Sequence, residues 1–332
     1  MYNTLKTLCL VSSVSGREET IRNKISEMIA PFTDSTYTDN LGNLVAVRKG
    51  NGDDKKKIML CAHMDEIGFL ATYVEESGFI RIATVGGISL RASVALGVVS
   101  ERGVKGVIVP EDNVKPADFS ADKFLIDIGA KNKKEAQRKV NIGDFFVITP
   151  SVTRLCGKRV CGRPLDDRIG CAVLVEIAKE LSNTQPKHDI YFTFSTQEEV
   201  GCRGAKTASF GISPDYALIY DVTGTGDTAG AKPMECALGK GAAIKIKDSS
   251  VICNAELVEN LSQIAKEKKI PHQFEILTYG GTDTSAVQIS GLGTRAGAIS
   301  IPTRYIHTSS EMLDMSDAEA CVALTLAFIK EI

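Results

Sequence analysis

The chain has 332 residues, of which 43% are hydrophobic, and a formal net charge of -2 at pH 7. The length predicts two or so domains, and the hydrophobic content and a mean hydropathy of +0.00 predict a sizeable core. The balanced charge and an isoelectric point of about 6.2 indicate neither nucleic acid nor an anionic membrane as a partner. No run of residues approaches the ~18–20 apolar residues of a membrane span, and the first residues do not resemble a signal peptide. The sequence therefore predicts a soluble, cytoplasmic protein.

The N-terminal part of the chain predicts helix, turn, helix and strand. Ser15–Glu18 has the S-x-x-E form of a capping box, and apolar residues at helical spacing follow from Ile21 to Ile29. A short strand is expected over Leu44–Val47. The apolar run Ile58–Ala62, which follows a lysine-rich loop, has the length of a buried strand.

The middle of the chain has a different texture. From about Gly68 to Thr153, short Val, Ile and Phe runs are interrupted by glycines, and only Asn132–Val140 looks helical. Many short strands with turn signals predict a small β-rich domain, a compact barrel or sandwich.

After about Gly157 the pattern alternates between helix and strand. The predicted helices are Asp167–Leu181, Asn254–Lys268 and a last helix that opens with a second capping box, Ser316–Glu319. The predicted strands are Ile190–Ser195, Tyr216–Tyr220, Ala242–Ile246, Phe274–Leu277 and Ala296–Ile301. The simplest account is one α/β domain made from both ends of the chain and interrupted by the β-rich insertion.

Cysteine and histidine usage narrows the possible chemistry. The nine cysteines form no close CxxC pair, which is typical of reduced, buried thiols. Of the four histidines, His188 and His272 have no acidic motif around them and are expected at the surface. The other two, His63 and His307, lie in the most unusual local sequences.

Metal-type side chains follow several predicted strands. In open α/β sheets, ligands bind beyond the carboxyl ends of the strands, so side chains that are distant in sequence can converge there. The candidates are His63 after the strand Ile58–Ala62, Glu198 and Glu199 after Ile190–Ser195, Asp221 after Tyr216–Tyr220, His307 beyond Ala296–Ile301, and Asp166 and Asp167 at the start of a helix.

These residue types fit a two-metal site. Two imidazoles and three carboxylates can hold two divalent ions, with one carboxylate bridging, and metals about 3.5–4 Å apart can share a hydroxide and polarise a scissile carbonyl. A further carboxylate must carry a proton from water to the leaving amine, so the pair Glu198-Glu199 could supply one base and one ligand. Asp65, two residues after His63, could hydrogen-bond the imidazole and fix its tautomer.

Each of these features has a plainer reading when it stands alone. A strand-end histidine such as His63 is about as often a satisfied core residue as a ligand. Adjacent acids such as Asp166-Asp167 are more often a solvated surface, and Asp221 could simply cap a turn. Their joint occurrence at successive strand ends is what favours a metal site.

With these residues in hand, the chain resembles the M42 family of metallo-aminopeptidases, the glutamyl-aminopeptidase group, some members of which carry endoglucanase names. The similarity covers essentially the whole chain. The segments that carry it are Ala62–Phe69, Gly162–Cys171, Thr196–Gly201, Asp221–Thr223, Gly280–Asp283 and Ile306–Glu311.

The resemblance implies the roles of individual residues. Asp166 would bridge two divalent ions, Zn or Co. The other ligands would be His63 and Asp221 on one ion and Glu199 and His307 on the other. Glu198 matches the general base of a reaction in which a metal-bridging water attacks the N-terminal peptide bond, and Asp65 matches the residue that orients His63.

The resemblance also implies an architecture. The expected fold is an α/β/α zinc-peptidase-type catalytic domain with a mixed sheet, formed by residues 1–68 and 156–332. The inserted β-rich, barrel-like domain would span 69–155 and mediate assembly into homo-oligomers, as large as dodecamers. The loop Gly280–Asp283 is expected close to the site, where Asp283 could receive a free N-terminal ammonium, without a firm role.

Two other classes of function, a glycoside hydrolase and a non-catalytic scaffold, explain the sequence less well. A glycoside hydrolase needs two suitably spaced carboxylates and no metal, which would leave the histidines without a purpose, and the chain has no tryptophan to stack on a sugar. A non-catalytic scaffold that keeps the fold would be expected to have lost a ligand or the base, and all six positions are occupied. Arg304 and the Gly86-Gly87 region are candidate contributors to selectivity for an acidic N-terminal residue.

Overall fold

The computed structural model describes residues 1–332 as eight α-helices and eighteen strands. The helices are α1 Tyr2–Cys9, α2 Glu19–Ile29, α3 Lys133–Gln137, α4 Arg168–Leu181, α5 Arg203–Ile212, α6 Ala255–Glu267, α7 Asp283–Gln288 and α8 Met315–Glu331. The strands are β1 Ser35–Thr38, β2 Leu44–Arg48, β3 Lys57–His63, β4 Gly68–Val74, β5 Ile80–Val85, β6 Leu96–Ser100, β7 Lys105–Pro110, β8 Phe124–Asp127, β9 Phe145–Ile148, β10 Ser151–Arg154, β11 Arg159–Arg163, β12 Asp189–Ser195, β13 Tyr216–Ile219, β14 Val222–Thr223, β15 Ala242–Lys247, β16 His272–Ile276, β17 Arg295–Arg304 and β18 Glu311–Asp314.

A large mixed sheet forms the framework, with strand order β1-β2-β12-β3-β13-β17-β18-β11-β10. Its four central strands, β12, β3, β13 and β17, are mutually parallel, whereas β2 and β18 flank them antiparallel. In β3, residues 58–63 are all buried, as expected for a strand covered on both faces. The carboxyl ends of the four parallel strands therefore meet at one edge of the sheet.

Helices cover both faces of this sheet. A cluster of 45 buried residues joins one face to α1, α2, α4, α6 and α8. A smaller cluster joins the other face to α5 and α7. The result is the predicted α/β/α sandwich.

The β-rich segment forms a closed barrel of strand order β4-β5-β8-β7-β6-β9. The barrel closes because β9 pairs with both β4 and β6, and its interior holds a separate core that includes Phe69, Phe124 and Phe146. Of the two predicted forms, barrel and sandwich, the structure has the barrel, and the predicted fold class is confirmed. Strand β10 lies inside the predicted insertion 69–155 but pairs with β11 in the large sheet, so the barrel strands end at Ile148.

Both predicted capping boxes are wrong. Ser15 does not cap α2; its Oγ donates to the Asp65 carboxylate at 2.6 Å, and α2 begins one residue after Glu18. At the last helix, Asp314 is the N-cap and its side chain accepts from the Ser316 N–H. Asp317 instead accepts the backbone N–H groups of Gly239 and Gly241. Ser15 is thus taken by a tertiary partner, whereas in the second box Ser316 Oγ donates to Asp314 and Glu319 pairs with Lys158.

Three further expectations need correction. The short helices α5 and α7 were not predicted. His188 is 1% exposed, not at the surface, and its Nδ1 accepts the Lys56 N–H at 3.2 Å. All nine cysteines are free, as predicted, but Cys156 is exposed. None of the helices combines the length and the apolarity that crossing a membrane requires.

Candidate active site

The predicted ligands converge at the carboxyl edge of the parallel strands. His63 is the last residue of β3, Glu198 and Glu199 follow β12, Asp221 follows β13 and His307 follows β17. All five, together with Asp166 from the turn between β11 and α4, line one cavity of about 500 Å³.

Asp166 lies between the two histidines. Its Oδ1 is 3.1 Å from His63 Nε2 and its Oδ2 is 3.2 Å from His307 Nε2. Burial alone would raise the pKa of Asp166, but the two imidazoles outweigh it and lower that pKa. Each oxygen of one carboxylate thus faces a different imidazole, although His63 and His307 come from different strands.

The other two acids flank this centre on opposite sides. The Glu199 carboxylate is 3.2 Å from His307 Nε2, and the Asp221 carboxylate is 3.8 Å from His63 Nε2. Three groups of residues each have potential ligand atoms within 4.8 Å of one another: His63 with Asp166 and Glu199, His63 with Asp167 and Asp221, and Glu198 with Cys202 and Asp283. Asp167 also caps α4, accepting the Gly170 N–H through Oδ1 at 3.0 Å.

The cluster carries a surplus of buried negative charge. Burial favours the neutral imidazole of His63, but its hydrogen bonds with Asp166 and Asp65 and the charge of Asp221 raise its pKa. Burial and the neighbouring carboxylates raise the pKa of Asp221 in turn. Carboxylates this deeply buried need cations beside them.

Two orphaned oxygens test whether the site suits metal ions. Glu199 Oε1 and Asp167 Oδ2 are buried and have no hydrogen-bond partner, which is costly for a carboxylate unless a cation completes its surroundings. The donors are imidazole nitrogens and carboxylate oxygens, the set that borderline divalent ions prefer. The residues therefore fit metal binding.

Asp65 connects the first histidine to the acidic loop. Its backbone carbonyl and its carboxylate lie 3.1 Å and 3.5 Å from His63 Nδ1. The same carboxylate accepts the backbone N–H groups of Glu198 at 3.0 Å and Glu199 at 3.2 Å. Asp65 is fully buried, so it holds the ring and the loop in one fixed arrangement.

Glu198 is half-buried and lines the cavity. Its only side-chain hydrogen bond is with the Cys202 thiol, which donates to Oε1 at 3.3 Å. Burial, together with the charges of Asp221 and Asp283, raises the pKa of Glu198 well above its ordinary value. Raised carboxyl pKa values of this kind suit a group that takes up and returns a proton near neutral pH.

Two positioning contacts were missed from the sequence. The Glu311 carboxylate accepts the backbone N–H groups of Leu165 at 2.6 Å, Asp166 at 3.1 Å and His307 at 3.1 Å, so it fixes two candidate ligands at once. The Gly87 carbonyl, in the loop after barrel strand β5, lies 3.0 Å from His307 Nδ1. Glu311 belongs to the segment Ile306–Glu311 that carries the family resemblance, but the sequence assigned it no role. No sequence pattern predicted the contact between Gly87 and His307.

The glycine loop lies where it was expected. Gly280, Gly281 and Thr282 line the cavity. Asp283 is 1% exposed and accepts from Ser195 Oγ at 2.5 Å, so its visible contact is with the end of β12.

The fold is thus an α/β/α sandwich with an inserted barrel, and its site brings together residues that fit metal binding. A sequence model of the M42 glutamyl aminopeptidase family matches residues 42–324, and the chain belongs to that family. A relative from Acetivibrio thermocellus is 45% identical over 330 residues, covering 99% of this chain and 98% of its own.

Solved structures of peptidases have the same fold as this chain. An aminopeptidase from the archaeon Desulfurococcus kamchatkensis superposes with a TM-score of 0.94 at 35% identity, covering 99% of this chain and 94% of its own. The TET1 peptidase of Pyrococcus horikoshii superposes with a TM-score of 0.90 at 34% identity, covering 100% and 99% of the two chains, and assembles into a tetrahedron or an octahedral shell. The protein is a peptidase of the hydrolase class.

Proposed function

We propose that the protein is a two-metal aminopeptidase that removes N-terminal residues from peptides. Two divalent cations, Zn or Co, would be held by five residues, with Asp166 shared between them: His63, Asp166, Glu199, Asp221 and His307. The observation that carries this proposal is the position of Asp166, whose two oxygens face two imidazoles.

The arrangement also supports the choice between neighbouring acids. Asp166 contacts both histidines, whereas one oxygen of Asp167 accepts the Gly170 N–H at the N-terminus of α4. Glu199 lies against His307, whereas Glu198 contacts only a thiol and faces the cavity. Asp166 is thus the better bridge, and Glu199 the better ligand.

Bound cations would supply Lewis acidity toward the scissile carbonyl and make water a stronger acid. Glu198 takes the proton from the attacking water and returns it to the nitrogen of the departing amine. Asp65 keeps Glu198 in place through the backbone of its loop and keeps His63 in one ring orientation.

The alternatives find no support in the site. A glycosidase that works with two carboxylates has no use for His63 and His307, yet both lie at the centre of the cluster. A non-catalytic scaffold would not need a half-buried Glu198 beside a complete set of ligands.

Metal content and peptidase activity together test the proposal. Purified protein should contain two divalent ions per chain, lose activity on aminoacyl p-nitroanilides in EDTA and recover it with Zn or Co. Glu198→Gln should keep both ions while kcat falls by about 100- to 10,000-fold, the usual contribution of general acid–base catalysis. A matched control is Glu319→Gln, an exposed acid whose partner is Lys158.

Two results would contradict the mechanism. A fully active Glu198→Gln enzyme would remove Glu198 as the base. Full activity in a chelator, with no metal found in the protein, would remove the cations.

We also propose that the chain forms a homo-oligomer, as large as a dodecamer, through the inserted domain, and that it works in the cytoplasm. The support is the assembly of the similar TET1 peptidase. Light scattering on the purified chain should give a mass several times 35.7 kDa; a monomer at micromolar concentration would reject the proposal.

A further inference from the structure

Beyond the metal cluster, the cavity wall carries only two charged side chains, Lys245 and Arg304. The remaining wall is uncharged and comes mainly from the loops after β13 and before α7: Val222, Thr223, Gly224, Thr225, Thr228, Leu277, Tyr279, Gly280, Gly281 and Thr282. Whether these two cations are already paired with carboxylates decides what kind of substrate side chain the cavity accepts.

Arg304 is already neutralised. Its Nε donates to Asp227 Oδ1 at 3.0 Å and its Nη2 to Asp227 Oδ2 at 2.7 Å, the two-point arrangement that suits a guanidinium and a carboxylate. Nη2 also approaches the Asp227 carbonyl at 3.3 Å. The Asp227 carboxylate is held on its other side by the Leu238 N–H at 3.1 Å, which fixes it in front of the guanidinium.

Lys245 is neutralised as well. Its ammonium is 3.0 Å from both the Asp248 and the Glu275 carboxylates, and all three side chains are 0% exposed. This group therefore leaves no free positive charge for a ligand.

We propose that the cavity selects peptides whose N-terminal side chain is uncharged, and that Asp227 determines this selectivity by occupying Arg304. An acidic side chain that enters this cavity would lose its hydration and find no unpaired cation, and a basic one would find no acid on the cavity wall outside the catalytic cluster. Burying a charge without a partner is strongly unfavourable, whereas threonine hydroxyls and Leu277 accept aliphatic and neutral polar groups.

This inference rests on the proposed aminopeptidase activity and deepens it. It also separates the chain from the glutamyl specificity in the description of its family. A cation for a γ-carboxylate is present at Arg304, but it is already occupied.

The experiment compares kcat/KM for the p-nitroanilides of Leu, Met, Gln, Glu and Lys with the metal-loaded enzyme. The native enzyme should cleave Leu, Met or Gln substrates faster than Glu and Lys substrates. Asp227→Asn keeps an acceptor for the Leu238 N–H but frees the guanidinium, so the Glu-to-Leu ratio of kcat/KM should rise by about tenfold. Glu319→Gln, which removes a surface ion pair, should leave the ratio unchanged.

A second variant covers the case in which Asp227→Asn fails to fold. Arg304→Gln removes the cation, and because Arg304 is not free to bind substrate, the Glu-to-Leu ratio should not fall. A fall in this ratio would show that Arg304 recognises acidic side chains, and it would overturn the inference.

Other outcomes are equally decisive. A native enzyme that prefers Glu or Lys substrates, or a folded Asp227→Asn with an unchanged ratio, rejects the selectivity while leaving the aminopeptidase intact. No hydrolysis of any substrate by the metal-loaded native enzyme rejects the proposed function itself.

Discussion

The backbone N–H of Glu198 donates to Asp65 Oδ1 at 3.0 Å, and the same oxygen lies 3.5 Å from His63 Nδ1. One buried side chain therefore ties the proposed general base to a proposed metal ligand. Asp65 and Glu198 are 133 positions apart in the sequence.

Asp65→Asn should weaken both functions. The Asp65 carboxylate accepts hydrogen bonds from the Ser15 hydroxyl and from the backbone N–H groups of Glu198 and Glu199. The NH2 group of asparagine would face at least one of these donors and could not accept its hydrogen bond. We expect metal affinity and kcat each to fall by about 10- to 100-fold, the usual cost of losing a partner behind a metal ligand. Ser15→Ala removes only one of the three donors and should have a clearly smaller effect; chelator competition and steady-state kinetics measure both, and equal effects of the two variants would contradict this role.

Glu311→Gln should loosen two ligands at once. Glu311 accepts three backbone N–H groups that position Asp166 and His307, and a glutamine cannot accept through its nitrogen. Metal affinity should fall by about 10- to 100-fold while the far-UV spectrum stays native. Glu319→Gln in the same assay is the control, and wild-type affinity in Glu311→Gln would assign Glu311 a purely structural role.

Gly87→Ala should displace His307. A Cβ at Gly87 would lie 3.2 Å from His307 Nδ1 and 3.4 Å from Cε1, so the ring must shift. We expect kcat/KM to fall by about tenfold. Gly211→Ala, where a Cβ meets nothing within 4 Å, is the matched control, and unchanged kinetics in both variants would mean that the ring tolerates the shift.

Lys245→Met should destabilise the fold rather than only the activity. It leaves Asp248 and Glu275 fully buried without their cation, and breaking a buried ion pair on one side costs about 3–5 kcal/mol. The free energy of unfolding in urea measures this loss. Lys247→Met, two residues further along β15 and only half-buried, should change it by less than about 0.5 kcal/mol; similar losses would argue against the buried triad.

The Arg304–Asp227 pair should contribute stability that depends on pH. Partial burial would raise the pKa of Asp227, but Arg304 outweighs this effect and lowers it from 3.8 to about 2. A lowered folded-state pKa stabilises above the ordinary value, and the contribution disappears as pH falls from about 4 to 2. Because the pair is partly exposed, Asp227→Asn should cost about 1 kcal/mol at pH 6 and progressively less as the pH falls toward 2; a constant difference across this range would contradict the ion pair.

The sequence predicted most of the framework because long apolar runs and clear periods belong to strands and helices such as β3, β12 and α6. It missed α5, which contains two glycines, Gly204 and Gly211, that disfavour a helix, and α7, which has six residues. The capping boxes failed because Ser15 and Glu319 have partners far away in the chain, Asp65 and Lys158. Local spacing cannot show such contacts.

For the site, the strand ends and the start of one helix indicated the candidate residues that the structure brings together. The residues behind them were harder, because Glu311 and Gly87 act through loops whose paths depend on the whole fold. The pairing of Arg304 with Asp227 was equally hidden, since the two lie 77 positions apart.

The contact between Gly87 and His307 spans 220 positions and crosses from barrel to sandwich. The inserted barrel is therefore not a detachable module, because its Gly87 carbonyl contacts the ring of His307, a proposed metal ligand. A chimaera that exchanged barrels between relatives would have to preserve this single carbonyl. A shortened protein that kept only the sandwich would lose the contact that positions the His307 imidazole.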